Sequence, residues 1–168
     1  MNRGLSDNGG TVTRRTIGRR TAEPWGFSLI EMMAVVAIIA ILSAIALPSY
    51  IKHVTKANRV AAEGCLSEMA SYMERYYTTN LRYDQDSTAT ANPYIAPDCA
   101  TVQQTGANYT YPAPAGSALT ATTYTITAVP VAGSAQANRD TACGTLTLDQ
   151  TGKRNIIGNG TGTVATCW

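Results

Sequence analysis

The most apolar stretch of the chain contains one charge, the carboxyl of Glu31. From Phe27 to Leu47 the sequence runs 21 residues with no other ionisable side chain. At about 1.5 Å of rise per residue, a helix of that length crosses a hydrocarbon layer about 30 Å thick. A lone carboxylate in such a layer is costly and by default marks a functional site, so Glu31 calls for a cationic partner. The candidate is a charge that the sequence does not display: the free α-amino group created if the chain is cut between Gly26 and Phe27. The alternative is a tolerated acid that reaches the membrane interface from near the helix start.

Other reactive side chains support little chemistry. Cys65, Cys99, Cys143 and Cys167 are widely spaced with no Cys-x-x-Cys pair, and the one histidine, His53, stands alone, so no zinc site is expected. A chain exported to an oxidising compartment would oxidise these thiols. Of three possible pairings we favour Cys65 with Cys99 and Cys143 with Cys167, because sequential pairing closes two moderate loops and ties down one segment with each. On the loop-entropy model each closure stabilises by roughly 3 to 4 kcal/mol. Asp84 and Asp86 read as a solvated turn rather than a cation site. Gly158 to Gly162 cannot cradle a phosphate in the dinucleotide manner, which needs a strand before and a helix after. The tyrosines at 72, 76, 77, 109, 111 and 124 read as packing. No catalytic residue, metal or cofactor is expected, and the chain is read as not an enzyme.

Charge is divided unevenly. Residues 1–26 hold five Arg against Asp7 and Glu23, for +3, and the remainder holds eight basic and nine acidic residues, for −1. The computed pI of about 8.4 therefore reports the leading segment. Residues 1–26 read as a leader, cleaved, with Arg14-Arg15 and Arg19-Arg20 holding that end on the cytoplasmic side of the span. Residues 27–47 are the membrane-spanning half of a helix. Pro48 removes a backbone bond to Ala44 and predicts a kink. Residues 48–80 continue as an amphipathic half, with Val54, Ala57, Ala61, Cys65, Met69, Tyr72 and Tyr76 on one face and Lys52, Lys56 and Arg59 mostly elsewhere. Residues 81–107 read as a connecting loop. Residues 108–168 hold strand-like segments at 108–111, 123–129 and 144–148, with Tyr124, Ile126 and Ala128 on one face, and a possible fourth at 153–157 after the turn Asp149-Gln150-Thr151-Gly152. Gly158–Thr163 reads as loop, closed by Cys167-Trp168. The fold class expected is α+β, a long N-terminal helix packed on an antiparallel sheet of three or four strands.

Gly26-Phe27-Ser28-Leu29-Ile30-Glu31-Met32-Met33 and the apolar run after it resemble the processing site and helix of type IV pilins and of type II secretion pseudopilins. The pilin fold matches the class above. Met73-Glu74-Arg75-Tyr76-Tyr77-Thr78-Thr79-Asn80 resembles the end of the long helix in PilE-type minor pilins. Asp140 to Leu148, through Gly152 to Cys167-Trp168, resembles their ending. The resemblance implies a prepilin peptidase that cuts after Gly26 and methylates Phe27. It also implies that Glu31 pairs with the amine of a neighbouring subunit. Many pilins carry Gly where Ala40 stands, so local melting of the helix there is not expected.

The implied function is a structural subunit, a minor pilin, of a type IV pilus supporting twitching motility, adhesion or DNA uptake. Its partners would be the prepilin peptidase, other pilin subunits, the inner-membrane assembly platform and inner-membrane lipid. Its location would be the inner membrane as a single-pass prepilin, then the extracellular pilus. Two alternatives stand beside it. One is a DNA-binding pilin of a transformation system, weakly supported because Arg82, Arg139, Lys153 and Arg154 are the only basic residues past residue 80. The other is a type II secretion pseudopilin, against which the cysteines at 143 and 167 argue.

Overall fold

The computed structural model describes residues 26–158 and 160–168. The leader at 1–25, with its two Arg pairs, and Asn159 in the tail lie outside the described residues. By internal contacts the chain divides into Met1–Ile41 and Leu42–Trp168, and one helix, α1 (Leu29–Asn80), contributes to both. It continues through Pro48. Within the first unit the apolar side chains of α1 are exposed, among them Leu29, Ile30, Met33, Val36, Ile38 and Ile41. The helix ends where the sequence pattern places its end. Leu81 takes a left-handed φ of 57°, and its N–H donates to the Tyr77 carbonyl at 2.7 Å, which turns the chain out of the last turn.

The second unit is a four-stranded antiparallel sheet in the order β1 (Tyr109–Thr110), β2 (Thr125–Pro130), β3 (Thr145–Asp149) and β4 (Arg154–Ile157). Thr110 lies opposite Val129, Ile126 opposite Leu148, and Leu146 opposite Ile156. The β3–β4 turn forms because the Asp149 carboxylate accepts from the backbone N–H of Thr151 at 2.9 Å and of Lys153 at 3.1 Å, while Gly152 supplies a φ of 75°. Alternation along β2 buries Tyr124, Ile126 and Ala128, as the pattern predicts. They meet Leu66, Met69 and Met73 of α1 and Leu146 and Leu148 of β3 in one core.

Three expectations are corrected. The buried stripe of α1 is Thr55, Arg59, Ala62, Cys65, Leu66, Met69 and Met73, whereas Ala57 and Ala61 are exposed and Val54, Tyr72 and Tyr76 half-buried. The stripe is rotated toward Arg59, whose guanidinium meets Asp140 and the Thr166 carbonyl on other elements, and toward Thr55, whose backbone carbonyl accepts from Gln136. The segment 81–107 is not featureless: it holds a 3₁₀ turn at Asp98–Ala100 and a π-type turn at Val102–Gly106. Gly106 suits that turn, since a Cβ there would strike the Ala100 and Thr101 backbone. Finally, two short helices escape the pattern, α2 (Ala135–Arg139) and α3 (Val164–Cys167). Ser134 caps α2 by accepting from the Ala137 N–H at 3.1 Å, and Thr163 with Thr166 forms a reciprocal cap on α3.

Candidate functional sites: the amino-terminal segment and a basic cleft

At the start of α1, Gly26 and Phe27 precede the helix and are exposed, Phe27 at 76%. A Cβ on Gly26 would meet nothing within 4 Å. Packing among the described residues therefore places no demand for glycine at that position. Glu31 stands exposed in the first helical turn, where the unpaired N–H groups of a helix start favour a negative charge. Among the described residues no cation lies within 4 Å of it. Leu29, Met32, Met33, Val36, Ala37 and Ala40 line an apolar groove along the same helix, and Glu31 is not part of that lining.

The second site is built on a buried polar network that holds α1, α2, α3 and β1 together. Arg59 Nη1 donates to Asp140 Oδ1 at 2.6 Å, and the same guanidinium reaches the Thr166 carbonyl at 3.4 Å. Asp140 Oδ2 accepts from the Tyr109 hydroxyl at 3.2 Å and from Gln136 Nε2 at 3.0 Å. Gln136 in turn donates to the Thr55 carbonyl at 3.1 Å and accepts from Asn58 at 3.2 Å. A buried carboxylate with one guanidinium and two neutral donors is a satisfied charge. Burial, and then the Asp140 charge, push the Tyr109 hydroxyl far above its ordinary pKa, so it stays a donor.

Above this pair lies a cleft of about 440 Å³ lined by Pro48, Ile51, Lys52, Thr55, Lys56, Arg59, Arg139 and Asp140. The floor pair is neutral in sum, which leaves Lys52, Lys56 and Arg139, all exposed, as the rim. Among the described residues the ion pairs are Arg59 with Asp140 and Arg82 with Asp84, so none of the three rim cations is paired. Arg154 lies outside that lining, and it and Lys56 both lie within electrostatic range of the Glu63 carboxylate. Burial raises the pKa of half-buried Glu63, and the charges of Arg59, Arg154 and Lys56 oppose that rise. The Arg154 guanidinium lies 5.1 Å from the centre of the Trp168 ring, whose indole N–H donates to the Asn155 carbonyl at 3.0 Å.

The residues singled out from sequence fall into separate places. Both disulfides are present, Cys65–Cys99 with Cα atoms 5.6 Å apart and Cys143–Cys167 at 5.5 Å. The first ties the 81–107 segment to α1 and the second holds α3 beside the start of β3. His53 is exposed. Asp84 is engaged by Arg82, which lowers its pKa, and Asp86 accepts from Thr88 and Thr90 within its own turn. Among the described residues no group of three His, Cys, Asp or Glu is placed to hold a metal ion. The cluster that sequence reasoning missed is the basic one. Counting cations only past residue 80 separated Arg139 and Arg154 from Lys52 and Lys56 on the helix, which the fold brings to the same region. Of the four counted, Arg82 is paired and Lys153 lines a different depression with Thr125, Thr147 and Asn155.

Comparison with known proteins adds two kinds of match. The prokaryotic N-terminal methylation motif matches residues 26–47, and the family model described as type IV minor pilin ComP, DNA uptake sequence receptor, matches residues 48–147. The type IV major pilin protein PilA of Myxococcus xanthus is 40% identical over 58 residues, covering 34% of this chain and 26% of that protein. The type IV wide pilus major component PilA4 of Thermus thermophilus is 34% identical over 64 residues, 38% of this chain and 49% of that protein. The matched segments thus span between a quarter and a half of the length of these relatives.

Proposed function

The chain belongs to the family of the type IV minor pilin ComP, and from that premise we propose that it is made as a prepilin, cut after Gly26, methylated on the Phe27 amine and assembled into a pilus that takes up DNA. The observation that carries this reading is the pairing of the methylation motif at 26–47 with the minor pilin match at 48–147. A prepilin peptidase is the first partner, and unconstrained Gly26 gives it a scissile backbone with no side chain in the way. The prepilin sits in the inner membrane with its leader cytoplasmic, and the assembly platform lifts the cut chain out of it. The apolar half of α1 then trades lipid for the spans of other pilins. Glu31, carried into that apolar surrounding, finds its cation in the Phe27 amine of a neighbour. Glu31→Ala is expected to leave membrane insertion unchanged and to lower incorporation into sheared filaments roughly ten-fold or more, the equivalent of about 1.4 kcal/mol or above. Equal incorporation would sink the pairing.

For DNA, support comes from the family description together with the four unpaired cations Lys52, Lys56, Arg139 and Arg154. Four phosphate contacts correspond to a slope of about −3 to −4 in a plot of log affinity against log salt. Arg154→Gln is expected to make that slope shallower by about 1 and to weaken all duplex sequences alike. Duplex binding that ignores salt would contradict a phosphate surface here.

A further inference from the structure

We propose that the cleft between α1 and α2 binds the headgroup of an anionic phospholipid, of the phosphatidylglycerol type, while the chain resides in the membrane. The inference rests on the reading of residues 27–47 as a membrane span. Lys52 follows Leu47, the last residue of the apolar run, by five positions, about 7.5 Å along the helix at its ordinary rise. The polar zone of one leaflet is of about that depth. Tyr50, at 67% exposure, lies at the same level, where tyrosine rings characteristically sit. The lining of the cleft begins at this height, at Pro48, Ile51 and Lys52, runs on along α1 to Arg59, and has both faces that such a ligand needs. Pro48 and Ile51 offer apolar wall toward the acyl chains. Lys52, Lys56 and Arg139 are unpaired cations around a floor already neutralised by Arg59 and Asp140. The lining therefore carries +3 from four basic residues and one acid, and Glu63, within electrostatic range of Lys56 and Arg59, lies outside that lining. Lysine stems can lie along the apolar wall while their ammonium groups reach the headgroup.

A zwitterionic headgroup would set its own cation against the rim, so the site selects net negative lipid. The volume of about 440 Å³ admits a phosphate with a glycerol cap. Each juxtamembrane cation adds about five-fold in affinity for an anionic surface, and three together about 100-fold.

The test uses the full chain purified in mild detergent, then incorporated into vesicles of phosphatidylcholine with one quarter phosphatidylglycerol, re-extracted and weighed by native mass spectrometry. Wild type is expected to retain one phosphatidylglycerol per chain and little phosphatidylcholine. The triple variant Lys52→Gln, Lys56→Gln, Arg139→Gln is expected to lose that adduct by about 100-fold. A charge-conserving variant, Lys52→Arg with Lys56→Arg and Arg139→Lys, keeps it, which separates loss of charge from loss of fold. Equal retention of phosphatidylglycerol by wild type and the triple Gln variant would overturn the inference, and so would equal retention of the two lipids by wild type. If the triple Gln variant loses duplex DNA binding but keeps phosphatidylglycerol, the cations serve DNA alone. Displacement of the lipid by inorganic phosphate at comparable concentration would show a simple anion site and remove the headgroup assignment. A chain that does not enter vesicles at all would instead overturn the reading of the span.

Discussion

Arg59 is a charged residue in the middle of a core-facing helical stripe, 9% exposed, with its partner 81 positions away in the sequence. Removing one member of a buried, hydrogen-bonded pair leaves the other charged and unsolvated, at a cost of about 3 to 5 kcal/mol. Arg59→Met is therefore expected to lower the stability of the full chain in detergent by about 3 kcal/mol, while Arg59→Met with Asp140→Leu recovers part of the loss. Urea unfolding of the two variants checks this, and equal loss in both would mean that packing rather than charge dominates. Arg59 also shows why the site was only half legible in the sequence. A helical pattern assigns a lone arginine to solvent, and only the fold brings Asp140, Gln136 and Tyr109 to meet it. The anomaly of Glu31, a charge in an apolar run, is by contrast local, and the pairing proposed for it awaits the incorporation test.

Between α1 and the sheet, the decisive contacts are made by tyrosines around one carboxylate. The Tyr83 and Tyr124 hydroxyls both donate to Glu74 Oε1 at 3.1 Å, and their rings meet edge to face with centres 4.9 Å apart. Burial, and then the Glu74 bond, push Tyr83 up to about 12, and burial and the Glu74 charge push Tyr124 up as well. A pKa raised in the folded state gives stability that is whole below the unfolded value, near 10, and declines as pH rises from there toward about 12. Following tyrosinate absorbance and circular dichroism together in the full chain is expected to show the part of the absorbance change that belongs to Tyr83 and Tyr124 arriving only as the sheet signal is lost, above pH 10. A single step near pH 10 with the sheet intact would refute the packing. The strands themselves were legible because β2 alternates and Asp149-Thr151-Gly152 specifies its turn. The short turns of 98–106 and helices α2 and α3 were not, because they are fixed by a disulfide, caps and the Arg59 network rather than by any period.

At the scale of the whole chain, the two units answer to different surroundings. The 42–168 unit carries its own core, two disulfides and a hydrogen-bonded polar network. Among the described residues of its unit the apolar half of α1 has no such core, and its exposed Leu, Ile, Val and Met side chains match lipid or other helices. In the proposed function, cleavage after Gly26 converts the first surrounding to the second, since it would remove the basic leader and create an amine for Glu31 to pair with. The most direct measurement is the intact mass of this chain recovered from sheared filaments. The account predicts a chain that starts at Phe27, carries one methyl group and is four hydrogens lighter for its two disulfides. A mass that begins beyond the apolar run, or one that retains the residues before Phe27, would contradict it.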